Sequence, residues 1–74
     1  MIQTQILQYL HKDKPVGISQ GGGYMRMMLA SLAKAGYTFT IQDATDSLNY
    51  LLSQENMVEI GWFGRERIYS YKRR

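Results

Sequence analysis

The sequence predicts an α+β fold, three helices followed by a two-stranded β-hairpin, and three observations carry that reading. Apolar residues recur at helical spacing in three separate segments ahead of residue 56. The period then falls to two over residues 57–72, the signature of half-buried strands. With 74 residues and no cysteine, the chain is short enough that residues 1–74 form one domain, held by packing without disulfides.

Ile2, Ile6, Tyr9 and Leu10 define one face of a first helix over residues 2–12, which ends ahead of Lys14-Pro15 because the residue before a proline avoids helical geometry. Val16-Gly17-Ile18 suits a very short strand. Gly21-Gly22-Gly23 then disfavours helix and reads as a flexible joint. A phosphate-nest reading of these glycines lacks the lysine-hydroxyl pair of a phosphate-binding loop.

From Tyr24 a second helix is expected, with Met25, Met28, Leu29 and Leu32 as its buried stripe, Met27 outside the stripe, and Gly36 as its left-handed stop. Thr40, with Asp43 three residues on, caps the start of a third helix that buries Ile41, Ala44, Leu48, Leu51 and Leu52. Asn56 suits the left-handed residue that ends it. In the hairpin, Val58, Ile60 and Trp62 alternate with Met57, Glu59 and Gly61. Phe63-Gly64-Arg65-Glu66 forms the turn and residues 67–72 the return strand. The expected core is Leu29, Leu32, Leu48, Leu51, Val58 and Ile60, with Trp62, Tyr69 and Tyr71 half-buried on the hairpin.

Charge is unevenly spread. The net charge is +3, yet residues 40–56 carry Asp43, Asp46 and Glu55 without a single Lys or Arg, whereas residues 62–74 carry Arg65, Arg67, Lys72, Arg73 and Arg74 against Glu66. No catalytic constellation is visible. The one histidine, His11, stands beside Lys12 and Asp13 as a surface residue, and the absence of Cys excludes thiolate metal sites. A protein without enzymatic activity or cofactor is expected. No apolar run reaches the length of a membrane span, and the N-terminal residues lack a signal pattern, so a soluble, cytoplasmic protein is expected.

The stretch from Ala33 to Tyr71 resembles the winged-helix superfamily. A Gly ends the second helix (Gly36), Phe39 and Ile41 lead into the third, and Leu48 and Leu51 pack it. Asn56-Met57-Val58 opens the wing, Gly64-Arg65 turns it, and Tyr69 closes it. Ferric-uptake-type repressors have a similar stretch, but their metal-binding His and Cys residues have no counterpart here. The resemblance implies a winged helix-turn-helix that lays its third helix in the major groove of double-stranded DNA.

On that reading the base-facing residues are Gln42, Thr45, Asp46, Asn49 and Ser53, while Arg65, Arg67, Lys72 and Arg73 hold phosphates. The same polar helix face also suits plain solvent exposure. Asp43 and Asp46 oppose phosphate binding, and they support an alternative in which the acidic third helix docks on a basic protein surface. A domain this small covers few base pairs, so a homodimer is expected of a specific reader.

Overall fold

The computed structural model describes residues 2–19 and 21–72. Along the chain run α1 (Ile2–His11), β1 (Val16–Gly17), α2 (Gly23–Lys34), α3 (Ile41–Gln54), β2 (Met57–Phe63) and β3 (Glu66–Tyr71). The fold is α+β. The hairpin becomes a three-stranded antiparallel sheet of order β1-β3-β2, because the short β1 pairs with β3 through Val16 with Tyr69 and Gly17 with Ile68.

Each helix buries the stripe that its spacing dictates. Ile6, Tyr9 and Leu10 of α1 meet Met25, Met28 and Leu32 of α2 and Ala44, Leu48 and Leu51 of α3, with Val16 of β1 completing the cluster. Burial lifts the Tyr9 phenol above its ordinary pKa, since ionisation there would put a charge into low dielectric. Leu29 packs only partly against this core, and Met27 is exposed. Ile41, expected inside, lies exposed in the first turn of α3.

The helix ends follow local chemistry. At the end of α2, Gly36 takes φ 93°, which lets Tyr37 N–H donate to Leu32 O at 3.2 Å and Gly36 N–H to Ala33 O at 3.0 Å. That pair of bonds is a Schellman stop. At the start of α3, the Thr40 hydroxyl accepts from Asp43 N–H at 3.0 Å. Asn56 does not close α3 in a left-handed conformation. Glu55 ends the helix in extended geometry, and Asn56 instead ties the hairpin shut: its carbonyl accepts from Lys72 N–H at 2.7 Å and its amide donates to Lys72 O at 3.3 Å.

The hairpin departs from simple alternation. Glu59 pairs with Tyr69 and the next pair is Gly61 with Ile68, so Ile60 is an extra, unpaired residue. Such a bulge shifts the in-out pattern by one, so that Trp62 lies on the face opposite to Val58. Before the bulge, Met57 rather than Val58 packs against the helices with Tyr69, and Val58 and Ile60 are exposed. Trp62, expected half-buried, is exposed as well. The turn is shorter than expected: Phe63 pairs with Glu66, leaving Gly64 at φ 63° and Arg65 as the two loop residues, so the return strand starts at Glu66.

Candidate nucleic-acid interface

α3 packs on α1 through Ala44, Leu48 and Leu51 and leaves the opposite side open. Gln42, Asp46, Asn49 and Ser53 lie on that exposed side, as their spacing requires. Thr45 does not. It is 7 % exposed, and its hydroxyl donates back to Ile41 O at 2.8 Å, so it belongs to the packed side and the expected base contact from Thr45 is withdrawn.

The exposed residues are also engaged among themselves. Gln42 donates its amide to Asp46 Oδ1 at 2.8 Å, one turn along, and Ser53 donates to Tyr50 O at 2.6 Å. The Gln42–Asp46 bond uses one of the two amide N–H groups of Gln42 and holds the side chain along the helix. Tyr50 adds an exposed aromatic ring to the same helix. The electrostatics are one-sided, because α3 carries Asp43 and Asp46 with no Lys or Arg between Ile41 and Gln54.

On the wing, Arg65 is exposed at the hairpin tip, held out by the two-residue turn. Arg67 is committed elsewhere. It pairs with Glu59 at 3.1 Å and lies 4.8 Å above the Trp62 ring. Hydrogen bonding with the Tyr69 side chain, then the Glu59 charge, hold its guanidinium protonated even above the usual arginine range. Lys72 is exposed just past β3, and Arg73 lies outside the described residues.

A buried acid that the sequence reading assigned to the turn organises the other end of the sheet. Glu66 is 3 % exposed, and its carboxylate accepts from Tyr24 N–H at 3.0 Å and Met25 N–H at 3.3 Å, the first free amides of α2. Gly22, the residue preceding that helix, supplies no side-chain cap. A Cβ on Gly22 or on Gly17 would stand 2.2 Å from the Glu66 carboxylate. The glycine cluster is therefore more than a flexible joint. The anion expected of a phosphate nest is supplied by the protein itself, which leaves the N-terminus of α2 occupied.

One signal in the sequence, and one in the backbone, point to this contact. α2 has no Ser, Thr, Asp or Asn at its cap and no acid in its first turn, so its amides need an acceptor from elsewhere. Gly22 has φ −72°, a value any residue adopts, so its glycine answers to space rather than to backbone freedom. Nearby, Tyr24 and Phe63 meet edge to face with centroids 5.7 Å apart, joining α2 to the wing a second time.

Among the described residues no helix is long and apolar enough to cross a membrane. Comparison of the chain with protein-family models, with curated proteins and with solved structures finds no match.

Proposed function

We propose that this chain is a winged-helix DNA-binding protein, a small transcriptional regulator that works inside the cell and performs no catalysis. The observation that carries the reading is the division of α3: one side is consumed by α1, and the other holds Gln42, Asp46, Asn49 and Ser53 in the open. The element order, with β1 paired to the outer side of the hairpin, supports it as the layout a winged helix needs. Asn49 and Gln42 offer amides that match adenine, and Asp46 accepts from cytosine. Arg65 at the wing tip and Lys72 at its base hold the backbone, whereas Arg67 braces the wing through Glu59 and Trp62.

In this scheme affinity comes from the wing and sequence preference from α3. Arg65→Ala weakens binding to all duplexes alike and reduces the salt dependence by about one counterion, whereas Asn49→Ala changes the ranking of sequences. Fluorescence-anisotropy titrations of a duplex library across a salt series measure both. Identical affinity and slope for wild type and Arg65→Ala would remove the wing from the interface.

A second reading is favoured by the charge of α3. Asp43 and Asp46, without a cation on the helix, suit docking on a basic protein surface better than on phosphates.

A further inference from the structure

The hairpin of β2 and β3 is tied to the rest of the fold at three levels. At its open end Asn56 exchanges hydrogen bonds with the backbone of Lys72. In the middle, β1 pairs with β3 through Val16 with Tyr69 and Gly17 with Ile68. The third tie lies at the tip, ordinarily the most mobile part of a hairpin.

Phe63 and Glu66 are the last pair before the two-residue turn, so their side chains project from the same face of the sheet. Both reach Tyr24. The Phe63 ring meets the Tyr24 ring edge to face with centroids 5.7 Å apart, and the Glu66 carboxylate accepts from Tyr24 N–H at 3.0 Å and Met25 N–H at 3.3 Å. The Gly17 and Gly22 backbones leave room for that carboxylate, and the Phe63 ring comes within 3.5 Å of the point where a Cβ on Gly23 would stand. Only Gly64 and Arg65 lie between the two anchors. Consecutive Cα atoms are about 3.8 Å apart, so the Arg65 backbone stays within one residue's reach of a fixed point.

We propose that Glu66 and Phe63 are positioning residues: they latch the hairpin tip to the start of α2 and so preset Arg65 for contact with a duplex phosphate. The latch follows from the chain alone, whereas its use on DNA rests on the DNA reading. α2 and α3 share one core, so a tip fastened to α2 keeps a constant offset from the exposed side of α3. Arg65 then meets the backbone of the duplex without first losing the freedom of a swinging hairpin, which is how a preset arm strengthens binding. Helix N-termini also hold phosphates, but that of α2 is occupied by Glu66, so phosphate contact at this end of the sheet falls to the Arg65 side chain.

Backbone amide relaxation of the full chain by NMR, without nucleic acid, tests the latch. Order parameters of about 0.85 are expected at Gly64 and Arg65 in wild type. Glu66→Ala and Phe63→Ala lower them to about 0.6 or less and leave those of α1 and α3 unchanged, with Glu66→Gln between. Phe63 is 62 % exposed, so Phe63→Ala stays folded even where Glu66→Ala does not. Duplex titration of the same proteins tests the positioning. Both Glu66 variants remove the same charge, so the difference between them reports the latch alone. Affinity falls about two- to tenfold from wild type to Phe63→Ala and from Glu66→Gln to Glu66→Ala, and in an Arg65→Ala background neither fall remains. A wild-type tip that is already mobile, or one that keeps its order in both Glu66→Ala and Phe63→Ala, overturns the latch. A loosened tip with unchanged duplex affinity overturns the positioning role. Absence of duplex binding by every protein, with the tip ordered in wild type and loose in the variants, removes the DNA reading and the role of Arg65 with it, while the latch stands.

Discussion

The Glu66 carboxylate caps α2 from 42 residues away, accepting the Tyr24 amide at 3.0 Å where the helix has no cap of its own. The contact fastens the wing to the second helix and places a negative charge where the helix dipole favours it. Glu66→Ala is expected to lower stability by about 2 to 3 kcal/mol, because it strips two buried amides of their acceptor. Glu66→Gln, which keeps one acceptor oxygen, loses less. Urea denaturation of the three proteins measures the order; equal midpoints for wild type and Glu66→Ala would mean that water replaces the carboxylate without loss.

The same contact explains two glycines. In Gly22→Ala or Gly17→Ala the added methyl displaces the carboxylate, so each substitution costs about as much as losing the Glu66 bonds. Once Glu66 is Ala, the conflict is gone and Gly22→Ala becomes close to neutral. A double-mutant cycle therefore gives a coupling of about 1 to 3 kcal/mol between positions 22 and 66, and strict additivity would disprove the close approach.

The core predicts a contrast between two residues that sequence pattern treats alike. Leu48 is fully buried, so Leu48→Ala costs about 2 to 5 kcal/mol. Val58 stands on the outside of the wing, and Val58→Ala changes monomer stability by less than about 0.5 kcal/mol. Thermal unfolding at low protein concentration separates them.

Helix α3 was legible because its signals are local: the Thr40 cap, the Ala44, Leu48 and Leu51 stripe, and the Gly36 stop before it each act within a few residues. The wing was half legible. Its strands follow from alternation, but the Ile60 bulge lies in the pairing between strands, which one strand's sequence does not encode, and alternation alone does not say that Met57 rather than Val58 faces the helices. On the candidate interface, spacing placed Asn49 and Asp46 outward correctly. Thr45 sits at the margin of the helix face, where burial depends on what packs beside it. Glu66 was misread as a turn residue because its partner amides lie across the fold, out of reach of any local rule.

Tyr9 makes stability fall at high pH. Burial raises its pKa, so the neutral phenol is favoured in the folded state. Its contribution is complete below the unfolded value of about 10 and is lost as pH climbs through the higher folded value. Between pH 8 and 11 wild type loses more unfolding free energy than Tyr9→Phe. Parallel losses in the two proteins would assign the alkaline decline to other groups.

The central claim, that α3 enters a DNA groove, is tested most directly at Asp46, exposed on α3, where its carboxylate accepts from the neutral amide of Gln42 at 2.8 Å. Asp46→Asn removes one charge that phosphates repel. If α3 faces the groove, the variant binds non-specific duplex more tightly than wild type, and the gain is larger at 50 mM than at 200 mM salt, where screening is stronger. The measurement is a duplex titration of both proteins at those two concentrations. No duplex binding by either protein, or binding that Asp46→Asn leaves unchanged at both salts, would contradict the account and turn attention to a basic protein partner for α3.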